Sequence, residues 1–113
     1  MAKIRRYCGN YILDISNGKI SEYCGRTLYQ ISGGRVSEYC GRTLYDISGD
    51  RINRYCGPTL LEVKGNKINR YCGPTLYVIE GQYISQYCGP KLYEIDGFLS
   101  HEELMGLIAV LFA

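Results

Sequence analysis

The sequence predicts an all-β fold of six β-hairpin repeats followed by one short C-terminal α-helix. Tyr-Cys-Gly occurs six times at intervals of 16 residues, from Tyr7 to Tyr87, without an insertion or deletion. Gly-containing dipeptides separate short runs in which apolar and polar residues alternate, which is the pattern of β-hairpins. The chain after Leu99 leaves the repeat and becomes apolar. So strict a period indicates one small structural unit used six times.

Each repeat contains two predicted turns. The first carries dipeptides that suit type I′ and II′ turns: Asn17-Gly18, Gly33-Gly34, Gly49-Asp50, Gly65-Asn66 and Gly81-Gln82. The second begins at the glycine of Tyr-Cys-Gly, which would take the positive φ of a type II′ turn. Two such turns and two six-residue strands account for the 16 residues, so a meander of about twelve strands is expected.

The two turns also predict the register between strands. The turn after Ser48 places Ile47 opposite Ile52, and the turn after Cys40 places Val36 opposite Ile47. This register builds an aliphatic row on one face of the sheet, which is therefore the face expected to be buried. The row comprises Ile20, Ile31, Val36, Ile47, Ile52, Val63, Ile68, Ile79 and Ile84.

A flat sheet of this length would leave two open edges, so a closed array is expected. Twelve strands at a spacing of about 4.8 Å would form a ring roughly 18 Å across. A barrel also requires an offset between strands, which these turns alone do not supply. The sequence therefore favours a flower-like or propeller-like closure, or a barrel with β-bulges. A β-solenoid is the alternative architecture.

The repeat array is expected to span residues 1–99, and the helix residues 100–113 on the same domain. Ser100 and Glu103 form a capping box at the predicted start of this helix. The residues that follow are apolar on nearly all sides, from Leu104 to Phe112, so the helix should be buried. We expect residues 101–112 to pack against the aliphatic row and to cover or plug the array. A contact between two copies of the chain is the alternative.

The six cysteines share one repeat position, which is unusual for a disulfide framework. They have no Cys-x-x-Cys spacing, and the one histidine, His101, lies outside the repeats, so a zinc site is not expected either. We interpret them as a row of reduced, buried thiols that act as small apolar filler. They are Cys8, Cys24, Cys40, Cys56, Cys72 and Cys88.

The repeated Gly-x-x-Leu-Tyr-x-Ile-x-Gly pattern, followed by Leu99-Ser100 and an apolar helix, resembles bacterial β-hairpin repeat proteins of the β-flower type. The resemblance covers most of the chain. It departs from that family in having six units where four petals are implied, and in its Tyr-Cys-Gly signature. The resemblance implies an architecture and no activity.

The composition limits the classes of function. A net charge of +2 with mixed signs argues against a nucleic-acid or anionic-membrane surface. No apolar run follows the basic residues near Met1, so no secretory signal is visible, and a cytoplasmic protein is expected. Every candidate catalytic group is a repeat position, apart from His101 in the first turn of the helix. An enzyme is therefore not expected, and neither is a cofactor or a metal.

Twelve tyrosines and no tryptophan suggest a binding surface as well as strand packing. The candidate binding residues are Tyr29, Tyr45, Tyr77 and Tyr93. The expected function is a protein-interaction or scaffold module, with a protein partner or self-association. A carbohydrate- or small-ligand-binding (lectin-like) module is the first alternative. A thiol-based redox or metal-binding protein is the second.

One row of the repeat changes its charge between the two halves of the chain. Glu22 and Glu38 occupy the position that Arg54 and Arg70 occupy in later repeats. We expect these opposite charges to approach each other when the array closes, or to orient a second copy.

Overall fold

The computed structural model describes residues 2–112 and shows a closed antiparallel barrel of twelve strands with one helix. The prediction of a hairpin meander is confirmed, and the solenoid is excluded. The strands are β1 Ala2–Arg6, β2 Tyr11–Ser16, β3 Lys19–Glu22, β4 Thr27–Ser32, β5 Arg35–Glu38, β6 Thr43–Ser48, β7 Arg51–Arg54, β8 Thr59–Lys64, β9 Lys67–Arg70, β10 Thr75–Glu80, β11 Tyr83–Gln86 and β12 Lys91–Gly97; the helix is α1 His101–Phe112.

The two ends of the chain together build the sixth hairpin. Strand β1 lies between β2 and β12, and Ile4 pairs with Ile95 just as Ile20 pairs with Ile15 within the first complete hairpin. The N-terminal strand therefore supplies the second strand that the last repeat lacks. This pairing closes the barrel and leaves no strand edge open to solvent.

Polar side-chain contacts reinforce this closing pair. The Arg5 Nε donates to Glu94 Oε1 at 2.8 Å, and this hydrogen bond and charge raise the pKa of the Arg5 guanidinium. The Tyr11 hydroxyl donates to Asp96 Oδ2 at 2.7 Å, and the bond to Asp96, with burial, raises the pKa of the tyrosine. Both contacts link β12 to the first strands of the chain.

The first set of turns follows the sequence prediction. Both central residues have positive φ at Asn17-Gly18, as a type I′ turn requires. At Gly49-Asp50 only the glycine does, with φ of 59°, as in type II′. The predicted register across these turns is confirmed, since Ile47 pairs with Ile52. These turns form one rim of the barrel, which we call the short-turn rim.

The second set of turns differs from the prediction. The Gly41 amide donates to the Glu38 carbonyl at 2.9 Å, so the turn is centred on Tyr39 and Cys40 instead of on the glycine. Cys40 has φ of 56°, and Gly41 takes no positive φ. The glycine is needed for a close approach, because a Cβ on it would lie 2.9 Å from Glu38 Cβ. The other Tyr-Cys-Gly turns repeat this geometry.

A β-bulge follows each of these turns and displaces the register. Val36 pairs with Tyr45, not with Ile47 as predicted, and Ser37 pairs with Thr43, so Leu44 is the extra residue. The Leu44 carbonyl instead accepts the Tyr55 amide, at 3.0 Å. A leucine or isoleucine occupies this position in all six hairpins: Ile12, Leu28, Leu44, Leu60, Leu76 and Leu92.

The bulges supply the offset that a barrel needs. Moving from Ile31 through Val36 to Tyr45 shifts the register by two residues per hairpin. Two residues along the strand over two strand spacings correspond to a tilt of about 35°, within the usual range for barrels. The apparent conflict between exact repeats and a sheared barrel is thereby removed.

A ring of twelve aliphatic side chains lines the barrel, and we call it the Ile ring. It consists of Ile4, Ile15, Ile20, Ile31, Val36, Ile47, Ile52, Val63, Ile68, Ile79, Ile84 and Ile95. Ten of these side chains are buried, while Ile47 and Ile79 are half-buried. The predicted aliphatic row is thus the core face, and it extends around the whole barrel.

The helix runs through the barrel from the short-turn rim. Its Met105, Leu107, Ile108 and Ala109 are fully buried in the same core as the Ile ring. Its last residue, Phe112, reaches the inward-facing tyrosines beyond that ring. Twelve residues make a helix about 18 Å long, which matches the 17 Å shortest dimension of the molecule. Within residues 2–112, no helix is long and apolar enough to cross a membrane.

The predicted capping box fixes the start of the helix. The Glu103 amide donates to Ser100 Oγ, and the Ser100 amide donates to Glu103 Oε1, both at 3.2 Å. The other oxygen of Glu103 accepts the Gly18 amide at 3.2 Å, which ties the helix to the short-turn rim. Burial works against the charged form of Glu103, but the hydrogen bonds from Ser100 and Gly18 outweigh it and lower the pKa of this carboxyl.

Candidate functional site

The four tyrosines predicted as a binding surface form an inward-facing row next to the Ile ring. Tyr29, Tyr45, Tyr77 and Tyr93 are half-buried and pack against the core. Leu13 and Leu61 take the same position in two other hairpins. Tyr77 stacks on Phe112 with ring centroids 4.0 Å apart. Of the four, Tyr45 lines a groove that opens to the surface, so it is the one that a ligand there would contact.

The outward tyrosines belong to the Tyr-Cys-Gly turns, which form the rim opposite the short-turn rim. We call this the Tyr rim. Its six tyrosines expose between 38% and 50% of their surface, although tyrosine at a strand end would normally pack across the sheet. They are Tyr7, Tyr23, Tyr39, Tyr55, Tyr71 and Tyr87. None of them is among the candidate binding residues predicted from the sequence.

A lysine or arginine from a neighbouring hairpin lies over most of these rings. Lys19 lies over Tyr39 at 5.6 Å from the ring centroid, and Arg51 lies over Tyr71 at 5.2 Å. Lys3, Arg35 and Lys91 lie over Tyr23, Tyr55 and Tyr7 at 5.5 Å. Each exposed contact of this kind is worth about 0.5–1 kcal/mol. These contacts therefore favour one orientation of each ring before any partner binds.

The interpretation of the cysteines as buried filler is wrong. All six are free and exposed, each at the second central position of a turn with φ between 55° and 58°. The position of the turn explains the error, because a turn centred on Tyr39 and Cys40 takes the cysteine out of the strand that was predicted to hold it. Two strand spacings separate equivalent cysteines of neighbouring hairpins by at least about 10 Å, which is beyond the reach of a disulfide within the chain.

The electrostatic row also differs from its prediction. Glu22, Glu38, Arg54 and Arg70 are exposed at the Tyr rim, and within residues 2–112 they form no ion pair with one another. Each glutamate instead lies near the arginine four residues later in its own turn, with Glu38 Oε1 3.7 Å from Arg42 Nε. Exposed pairs of this kind contribute about 1 kcal/mol or less. The other predicted role of this row, to orient a second copy, stays a prediction.

One groove of about 330 Å³ interrupts the Tyr rim between the turns at residues 38–42 and 54–58. We call it the Arg42–Arg54 groove. Its lining is Arg42, Thr43, Leu44, Tyr45, Arg54, Tyr55 and Leu60. Register places Arg54 directly opposite Tyr45 on the adjacent strand. Two guanidinium groups, three groups with hydroxyls and two leucines thus share one concave surface.

His101 lies at the other end of the strands from every cysteine. Its Nε2 is 3.5 Å from the Gly49 carbonyl at the short-turn rim, and the side chain is exposed. A thiol–imidazole pair is therefore not assembled by this fold. Within residues 2–112, no three His, Cys, Asp or Glu side chains come close enough to hold a metal ion.

Comparison with protein-family models, curated proteins and solved structures gives no match to this chain.

Proposed function

We propose that this protein is a non-catalytic interaction module that binds a protein partner through the Tyr rim. The observation that carries the proposal is the rim itself, in which six exposed tyrosines stand on one edge of a closed barrel. Tyrosine is enriched in protein interfaces because it offers a large apolar face with a polar tip and few rotatable bonds. Cations already orient five of the rings, which lowers the entropy cost of binding.

The charge of the rim indicates the chemistry of the partner. The six turns contain five arginines and two glutamates, whereas the whole chain carries only +2. The arginines are Arg6, Arg26, Arg42, Arg54 and Arg70. A surface rich in tyrosine and arginine has the composition of an interface centre. We expect it to bind a protein surface rich in carboxylates, with an association rate that falls as salt is raised.

Capture from a lysate of the source cells tests this proposal when a rim variant is compared with a matched variant at the other rim. The rim variant replaces Tyr39, Tyr55 and Tyr71 by serine. The control replaces Asn66 and Gln82, exposed at the short-turn rim, by serine. We expect a protein that the wild type and the control retain and the rim variant loses, with the purified partner losing at least tenfold in affinity. Equal capture by all three proteins would contradict the proposal.

Thiol chemistry is the second candidate, because the six cysteines are exposed and share the Tyr rim. A variant with asparagine at all six positions separates the two functions. Unchanged binding of the partner would show that the thiols are dispensable for interaction. Loss of binding, together with uptake of a soft metal ion by the wild type, would favour the thiol-based function.

A further inference from the structure

We propose that the Arg42–Arg54 groove is a binding site for a carboxylate carried on an apolar or aromatic group. The first argument is that the repeats differ from one another at this groove. Arg42 follows Tyr-Cys-Gly of one turn and lies with Arg54, which precedes Tyr-Cys-Gly of the next turn. Repeat symmetry brings the equivalent two residues together between every pair of successive turns. Two arginines meet only at residues 42 and 54. The other five combinations are Arg26 with Glu38, Pro58 with Arg70, Pro74 with Gln86, Pro90 with Arg6, and Asn10 with Glu22.

The second argument is that both guanidinium groups are available. Within residues 2–112, the Arg54 side chain makes no ion pair or side-chain hydrogen bond, and its stem packs over Gly57. Arg42 has one carboxylate nearby, Glu38 at 3.7 Å, but the arginine side chain is 84% exposed and the glutamate 53%. Solvent weakens such a pair. A ligand carboxylate lying between the two arginines could accept hydrogen bonds from both.

The third argument concerns the walls of the groove. Tyr45, Tyr55 and Leu60 give a carboxylate-bearing ligand an apolar surface to contact, and the Thr43 hydroxyl adds a neutral donor. A planar carboxylate suits the fork of a guanidinium better than a point anion does. The combination therefore favours an organic carboxylate, such as the C-terminus of a peptide, over a free inorganic anion.

The inference does not depend on the protein-interaction proposal, because a small carboxylate tests the groove alone. The probe is N-acetyl-phenylalanine, and its neutral control is N-acetyl-phenylalaninamide, which has nearly the same shape. A probe of this size should bind with a Kd on the order of 1 mM. In an NMR titration, backbone N–H and methyl chemical shifts of the wild-type protein should change as the acid is added, with the largest changes around residues 42–45 and 54–60. The amide should bind at least tenfold more weakly.

Repeat symmetry supplies matched controls for the two arginines. Arg70 is the equivalent of Arg54, and Arg26 is the equivalent of Arg42, but neither faces a second arginine across its groove. We expect Arg54→Gln and Arg42→Gln each to weaken binding of the acid by about tenfold. Arg70→Gln and Arg26→Gln should change its Kd by less than about twofold. Unchanged thermal stability would show that each variant is folded.

Several outcomes would overturn the inference. They are no shift with the acid up to about ten times the expected Kd, equal binding of acid and amide, or shifts that map to another surface. Equal losses for Arg54→Gln and Arg70→Gln would mean that the net charge of the rim, and not this groove, attracts the acid. Tighter binding of inorganic phosphate than of the acid would mean that the groove is a phosphate site and not a carboxylate site.

Discussion

Gly106 offers the sharpest test of the helix inside the barrel. In a solvent-exposed helix, replacing glycine by alanine stabilises the protein by about 1 kcal/mol. Here a Cβ on Gly106 would lie 2.3 Å from Ile31 Cδ1 and 2.7 Å from Ile31 Cγ1. Carbon atoms in good contact are about 3.5–4.0 Å apart. Gly106→Ala should therefore destabilise the protein, which is the opposite of its effect in an exposed helix.

The magnitude follows from two opposing terms. Overpacking of a core costs about 1–3 kcal/mol, and two overlapping carbons place this site in the upper part of that range. Subtracting the gain of about 1 kcal/mol in helix propensity leaves a net loss of about 1–2 kcal/mol. Chemical unfolding followed by circular dichroism measures this loss, and an unchanged m value would show that the unfolding transition itself is the same.

A double-mutant cycle assigns the loss to Ile31. Ile31→Ala alone should cost about 2–5 kcal/mol. Adding Gly106→Ala to that variant should then stabilise it, because the clashing atoms are gone and the helix propensity remains. Ile31→Val, which removes only Cδ1, should relieve part of the cost. The coupling energy between positions 31 and 106 should reach about 2–3 kcal/mol.

Ile95 is the matched control for Ile31. It occupies the same position of the Ile ring in β12, whereas the three atoms nearest to the added methyl all belong to Ile31. Gly106→Ala should cost the same in an Ile95→Ala background as in the wild type, to within about 0.5 kcal/mol. A stabilising Gly106→Ala in the wild type would mean that this face of the helix is not packed in the barrel, and would refute the reasoning.

Three further predictions concern the thiols and the helix start. All six cysteines should react with iodoacetamide in the native protein, so mass spectrometry should find six adducts without denaturant; a protected thiol would contradict their exposure. Cys56→Asn should raise the free energy of unfolding by about 1 kcal/mol, since asparagine tolerates positive φ better, and Cys56→Val, the control, should lower it. Hydrogen bonds lower the pKa of Glu103 in the folded state, so its contribution to stability is present above its unfolded pKa and is lost as pH falls through the folded value. Thermal stability should fall less steeply in acid for Glu103→Gln than for the wild type, and parallel curves would contradict this contribution.

The parts of the fold that local chemistry determines could be predicted from the sequence. Asn17-Gly18 is compatible with few turn types, so this dipeptide alone predicts the register of its hairpin. The capping box at Ser100 and the apolar tail likewise predicted a buried helix with a defined start. Each of these features depends on residues close together in the chain.

The Tyr-Cys-Gly turns could not be predicted in the same way. Glycine is the usual residue at positive φ, so the pattern pointed to Gly41. The structure gives this conformation to Cys40, and it uses Gly41 to approach Glu38. Leu44 and Tyr45 are consecutive apolar residues and so interrupt the alternation, but a single interruption next to a turn does not identify which residue forms the bulge. The displaced turn therefore puts the six cysteines on the surface, and the undetected bulge puts Val36 opposite Tyr45 instead of Ile47.

The candidate groove corresponds to a difference between repeats that is visible in the sequence, but its meaning depends on the register found in the structure. Aligning the repeats shows glutamate followed by arginine in the turns at residues 22–26 and 38–42, and arginine followed by proline at 54–58 and 70–74. Without knowledge of the register set by the bulges, these differences concern separate turns and do not predict that two arginines meet. The barrel sets the last arginine of one pattern, Arg42, beside the first arginine of the next, Arg54, in one groove.

The same bulge also explains why this barrel contains a helix. A ring of twelve strands is roughly 18 Å across without tilt, and a tilt of about 35° widens it to about 22 Å. A helix has a radius of about 5–6 Å, and inward side chains of the sheet occupy about 5 Å more, half of the usual separation between packed sheets. Together these distances come to about 11 Å, which is the radius that the tilt gives for twelve strands. An unsheared ring would be about 2 Å too narrow on every side, so the extra leucine or isoleucine of each hairpin makes room for the helix in the core.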